Sequence, residues 1–157
     1  GSQISLFYNK VSKLVVQKFC RFPLVYQALK FYNHTDNMVR TSVMNLTLGI
    51  MKVKNERVTR YFESFPFTVY FIHFCCGLND QWRMLDRMIA TLDPNTYTIA
   101  QSRMRHRLKM EISDQQDSLY YLYDMYQYGG PRLKQNLKRC LMAYCLMPLL
   151  CGSLIVR

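Results

Sequence analysis

Apolar residues recur at helical spacing along most of this chain, and the most legible stretch runs from Tyr26 to Val53. A helical apolar pattern continues to Tyr32, breaks at Asn33-His34-Thr35 and resumes behind Asp36. A carboxylate in that position accepts a hydrogen bond from the unpaired amides of the next helix, so Asp36 reads as an N-cap. Beyond it, Val39, Val43, Leu46 and Ile50 follow at three- and four-residue intervals and predict one buried helix face. Short helix, tight polar break, then Asp-x-x-Val-Arg opening a second helix is the way HEAT and armadillo units are written. Such a unit cannot bury its apolar face alone and must stack on neighbours.

The same reading extended along the chain predicts helices over about 4–20, 23–32, 36–53, 55–63, 66–77, 79–92, 99–128 and 131–150. Pro23, Pro66 and Pro131 sit where a first helical turn tolerates a missing amide, and Gly77 and Gly129-Gly130 read as stops. Phe67 to Phe74 has high β-propensity but helical neighbours, and is read as helix. Asp93-Pro94-Asn95-Thr96 reads as a turn. The expected fold class is therefore all-α, an armadillo/HEAT-like helical solenoid fragment built from two layers of antiparallel helices.

One region carries a family resemblance. Phe7-Tyr8-Asn9, Ala28-Leu29-Lys30-Phe31-Tyr32-Asn33-His34, Met38-Val39-Arg40, Leu46-Thr47-Leu48 and Lys52-Val53 resemble the FPL domain of the Ema/Gop-1 family of endosomal and autophagy proteins. A weaker echo lies at Leu119 to Asp124 and at Leu146 to Leu149, while 79–115 departs from the family pattern. The resemblance implies an armadillo-like fold working in endosomal trafficking and autophagy, cytoplasmic and peripheral on endosomal membranes. It implies trafficking proteins as partners, and it brings no catalytic residue and no cofactor.

Composition narrows the picture. At 157 residues, half of them hydrophobic and 14% aromatic, the chain suits one packed domain. Gly1-Ser2 reads as a scar of tag removal, leaving 3–157 as a single FPL-like domain. The apolar ending Leu154-Ile155-Val156-Arg157 lacks the polar cap that closes a solenoid, so a piece of a longer protein is expected, and such an end can also drive a homodimer of the fragment. Six cysteines lie in apolar helical runs with no signal peptide, and are expected as reduced core thiols. The run Cys140 to Val156 is short of a membrane span and broken by Pro148 and Gly152, so a buried core helix is expected there.

Twenty-one Lys and Arg against ten Asp and Glu give a net charge of +11, which calls for acidic partners. Two groups of cations stand out as an anionic-surface site: Arg103, Arg105, Arg107 and Lys109, beside His106, and Arg132, Lys134, Lys138 and Arg139. A solvated face is the plain alternative for both. An anionic phospholipid membrane surface is the partner the resemblance favours. Nucleic acid is the competing partner, with Tyr120, Tyr121, Tyr123, Tyr126 and Tyr128 as stacking platforms, yet no nucleic-acid-binding motif accompanies the charge. Those tyrosines are expected chiefly between helices.

For protein partners, the exposed side of helix 36–53 is the expected surface, with Arg40, Thr41, Asn45 and Lys52. Arg40 is expected to pair with Asp36 or with an acid on an adjacent unit, and His34 to bond locally. No HExxH or CxxC spacing occurs, and His34, His73 and His106 fall in separate segments, so no enzyme, metal or cofactor is expected. The function expected is a non-enzymatic scaffold of a trafficking or autophagy protein. The alternative is a basic helical nucleic-acid-binding module.

Overall fold

The computed structural model describes residues 22–93 and 95–155. The expected helix over 4–20, Cys20 and Pro94 lie outside them. The described residues form helices α1 (Pro23–Leu29), α2 (Asn37–Met51), α3 (Glu56–Phe62), α4 (Phe65–Ala90), α5 (Ile99–Tyr128) and α6 (Pro131–Leu141). A single π-helical turn, Met142–Leu146, then leads into α7 (Met147–Ile155). The all-α expectation holds, with no strand among the described residues.

Local chemistry explains most of the boundaries. Asp36 does cap α2, accepting from the Met38 amide at 2.8 Å, and Asn55 caps α3 by accepting from Arg57 at 2.9 Å. Proline occupies the first turn of α1, α4 and α6, where its missing donor costs nothing. Gly129 and Gly130 separate α5 from α6. A Cβ on Gly129 would lie 2.5 Å from Leu133 Cδ2 and 2.7 Å from the Met125 carbonyl, so the two helices close on each other only around a glycine.

Three boundaries depart from expectation. The helices expected over 66–77 and 79–92 are one continuous helix, and Gly77 passes through its middle rather than stopping it. The stripe Phe67, Tyr70, Phe71, Phe74, Cys75, Leu78 and Leu85 is buried on both sides of Gly77, and that packing outweighs the roughly 1 kcal/mol a helical glycine costs. The helix expected over 131–150 is interrupted by the π turn. Pro148 cannot donate to the carbonyl four residues back and crowds it, and the widened turn just upstream absorbs the misfit. The segment expected as helix to Tyr32 leaves α-geometry after Leu29 and continues in tight turns.

Side-chain contacts set the register of the long helices. Tyr70 meets Tyr121 and Gln81 meets Glu111, so α4 and α5 run antiparallel. Arg40 meets Asp114 and Thr47 meets Tyr121, so α2 runs parallel to α5. Asn136 reaches Thr68 and Asn79 reaches the Cys145 carbonyl, so α6 and its continuation run parallel to α4. The core between them is aromatic. Phe67 lies 4.4 Å from Phe62, 4.9 Å from Phe71 and 5.1 Å from Tyr70, ring centre to ring centre. Residues 67, 70, 71 and 74 share one helix face, which is why a stretch of strand-like composition is helical here.

The buried stripe of α2 is rotated from the expected one. Val43, Met44, Thr47, Leu48 and Met51 are buried, while Val39, Leu46 and Ile50 are only half-buried. Thr47 takes the centre because its hydroxyl finds partners there. The core helix expected from Cys140 to Val156 is also corrected as far as Leu154, Val156 lying outside the described residues. Met142, Met147, Leu150 and Leu154 are exposed, and Cys145 is the buried side chain of the π turn. Cys75, Cys140 and Cys145 are core thiols, Cys76 is half-buried, and Cys151 is exposed against expectation.

Candidate interaction surfaces

A chain of hydroxyls crosses the centre of the bundle. Tyr70 Oη donates to Tyr121 Oη at 3.0 Å, and Tyr121 Oη lies 2.9 Å from Thr47 Oγ1. Thr47 Oγ1 in turn donates to the carbonyls of Val43 and Met44. Burial pushes the Tyr121 phenol up to about 12, against the opposing pull of its two hydrogen bonds. The three hydroxyls tie α2, α4 and α5 at one level.

A second junction lies one end of α2 away. Arg40 Nη2 donates to Asp114 at 2.6 Å, and Arg40 Nη1 donates to the carbonyls of His34 at 2.7 Å and Thr35 at 3.0 Å. His34 Nδ1 accepts from the Asp36 amide at 3.1 Å, a local bond of the expected kind. Arg40 thus pairs with the acid of another helix, not with Asp36, and draws the polar break onto α5. Above this junction opens a groove of about 880 Å³ between the start of α2 and the middles of α4 and α5. Its walls mix polar and apolar side chains, including Asn37, Gln81, His106, Met110 and Glu111.

The expected partner surface on α2 is accordingly divided. Thr41, Asn45 and Lys52 fall within about 40° of one another around the helix, while Arg40 is turned roughly 100° from Thr41 toward α5. Asn45 and Lys52 are exposed, and Thr41 is half-buried. Lys52 Nζ stands 4.6 Å above the Tyr128 ring. Arg40, half-buried and fully committed, is not on the exposed side.

The two groups of cations lie toward opposite ends of α5. The rise from Lys109 to Tyr128, where α6 begins, is about 28 Å. Arg103, Arg107 and Lys109 are exposed, with a loose 3.9 Å pair from Arg107 to Glu111. Arg105 is used internally: its Nη2 donates to the carbonyls of Asp93 and Thr96, and its guanidinium lies 5.1 Å from the Tyr97 ring centre. In the second group Arg132, Lys138 and Arg139 are exposed and Lys134 is half-buried. Lys134 and Lys138 both sit over the Tyr126 ring, at 5.3 and 5.4 Å. Of the tyrosines expected between helices, only Tyr121 is buried. Tyr120, Tyr123 and Tyr128 are exposed, because α2 and α4 cover only part of the circumference of α5.

Thiols converge behind α4. Burial, with Cys140, Cys145 and Cys76 close by, pushes Cys75 up to about 12, and burial also raises Cys76, Cys140 and Cys145. Such thiols are poor nucleophiles and poor ligands at neutral pH. Among the described residues no group of three or more His, Cys, Asp or Glu is placed to hold a metal ion. No helix among them is long and apolar enough to cross a membrane.

An all-helical domain with a hydroxyl-tied core, a groove of mixed polar and apolar walls and two exposed cationic patches is the class that fold and surface define. Residues 1–51 match the FPL family model, described as an uncharacterised conserved protein. The chain is 30% identical over 151 residues to Protein TRANSPARENT TESTA 9 of Arabidopsis thaliana, covering 96% of this chain and 17% of that protein. It is 28% identical over 122 residues to the CLEC16A homolog of Drosophila melanogaster, covering 78% of this chain and 10% of that protein. Human CLEC16A matches at 28% over 124 residues, with 78% and 10% coverage. The chain belongs to this FPL-containing Ema/Gop-1 family. It spans less than a fifth of the length of these relatives. No solved structure matches it.

Proposed function

We propose that this domain is a non-enzymatic interaction module within a longer endosomal trafficking or autophagy protein, holding protein partners and resting on an anionic membrane surface. The observation that carries the reading is the bare cationic half of α5. The first fully buried residue of that helix is Gln115; before it Met104 and Leu108 are only half-buried, and Arg103, Arg107 and Lys109 stand exposed. A solvated cation near an anionic leaflet contributes on the order of 1 kcal/mol, and several on one segment hold a domain there.

The armadillo-like part of the reading draws support from the registers. In a helical solenoid, antiparallel pairs stack so that equivalent helices of successive units run parallel. Here α2 runs beside α5, and α4 beside α6 and α7, in that parallel sense. The exposed apolar face of α7 and the α2 face carrying Asn45 and Lys52 are then the surfaces offered to protein neighbours.

Vesicle co-sedimentation at physiological salt tests the membrane part. Because the structure separates the two cationic groups, each is reversed alone: Arg103→Glu with Arg107→Glu, and Lys134→Glu with Lys138→Glu. Binding to phosphatidylserine or phosphoinositide vesicles, lost in the first pair and largely kept in the second, is the expected result. Equal binding by all variants removes the cationic surface from the function. Binding of nucleic acid that weakens steeply with salt, without vesicle binding, favours the nucleic-acid reading instead.

A further inference from the structure

The turn between α4 and α5 is flanked by largely exposed apolar side chains. Tyr97 is 88% exposed, Ile99 76% and Ile89, across the turn, 55%. The face of α5 that α2 covers from Asp114 onward continues toward this end as Ile99, Arg103, His106 and Met110, all within about 60° around the helix and all exposed. Between Arg83 and Lys109 the chain carries six Lys or Arg and two acids, Asp86 and Asp93. Asp93 is already bonded to the Thr96 hydroxyl and the Asn95 amide, which hold its carboxyl below the usual range.

The turn is also pre-shaped. Arg105 grips the carbonyls of Asp93 and Thr96 from below and lies against the Tyr97 ring, so the tip presents Tyr97 without first having to order itself. An aromatic with a polar end, beside two aliphatics and ringed by arginines, matches a lipid interface in both chemistry and depth. We propose that this tip enters the interfacial layer of an anionic bilayer: Tyr97, Ile99 and Ile89 insert, while Arg87, Arg103 and Arg107 remain at the headgroups. The proposal rests on the anionic-membrane reading above and adds the element that inserts. Asp86 lies on the same face of α4 as Trp82 and Ile89, within about 60°, which confines insertion to the last turn and keeps Trp82 in water.

Tryptophan placement gives the test. In a Trp82→Phe chain carrying Tyr97→Trp, vesicles of phosphatidylcholine and phosphatidylserine with brominated acyl chains should blue-shift and quench the new indole. The parent Trp82 should not be quenched. Tyr97→Ser with Ile99→Ser should lower vesicle binding by about tenfold or more, with the fold retained in a thermal melt, since both side chains are exposed and Arg105 keeps its two carbonyl bonds. Vesicle binding with no quenching at position 97, and with the double serine variant binding normally, overturns the tip while sparing the charge-based reading. Quenching of Trp82 instead overturns the proposed geometry. Failure of the intact chain to bind these vesicles overturns both readings.

Discussion

Tyr121 Oη lies 2.9 Å from Thr47 Oγ1, joining two helices whose residues are 74 positions apart in sequence. Tyr121 accepts from Tyr70 on its other side, so it is the middle link of this buried hydroxyl chain. Tyr121→Phe should therefore cost about 1–2 kcal/mol, read as a lowered denaturation midpoint with unchanged slope. A double-mutant cycle with Thr47→Val should show that the two losses do not add. Additive losses would mean the pair acts independently.

The same residue gives an alkaline signature. Burial raises the Tyr121 phenol from 10.0 to about 12, so the folded state favours the protonated form. Its contribution is complete below pH about 10 and is lost as pH rises through about 12, because the unfolded chain ionises first. Cys75, also pushed up to about 12, loses its contribution over an overlapping window. Urea midpoints measured from neutral pH upward should fall in that range, and fall less in Tyr121→Phe than in the parent chain.

Arg40 should behave as a positioning residue of the fold. Its side chain and that of Asp114 are 25% and 17% exposed, and the arginine makes three bonds at once. Arg40→Ala is expected to cost about 1–3 kcal/mol. Arg40→Lys should recover only part of this, since an ammonium cannot fork between a carboxylate and two carbonyls. Full recovery by lysine in a thermal melt would show that charge alone matters.

Two glycines should respond with opposite signs. Gly77 lies mid-helix with nothing within 4 Å of an added Cβ, so Gly77→Ala should stabilise by about 0.5–1 kcal/mol. Gly129→Ala drives a methyl into the Met125 carbonyl, which is backbone and cannot yield, and should destabilise by at least about 1 kcal/mol. Calorimetric melting of both variants reads the signs directly.

Alkylation should resolve the thiols. In a Cys20→Ser background, exposed Cys151 should react first with a maleimide, while Cys75, Cys140 and Cys145 should react only on unfolding. Rapid native modification of Cys75 would mean that α4 and α6 separate easily.

Much of the architecture was readable residue by residue. Asp36 ahead of an apolar run, Pro23, Pro66 and Pro131 in first turns, and the glycine pair at 129–130 act through bonds and sterics within a few residues, so their effect needs no distant partner. The cationic groups and the absence of a catalytic spacing were equally plain from composition. What the chain alone could not decide was which neighbour each side chain would meet. Thr47 moved to the centre of α2 because Tyr121 offers its hydroxyl there, and Arg40 chose Asp114 over Asp36 because α5 passes alongside. Gly77 failed to stop α4 because the stripe on both sides of it is buried. Arg105 left the cationic group to hold a turn, and the apolar side chains of α7 stayed outside because α4 covers only part of that helix. Local rules act over one or two turns, whereas burial and long-range hydrogen bonds are settled only when the helices pack, and they outweigh local preference wherever the two disagree.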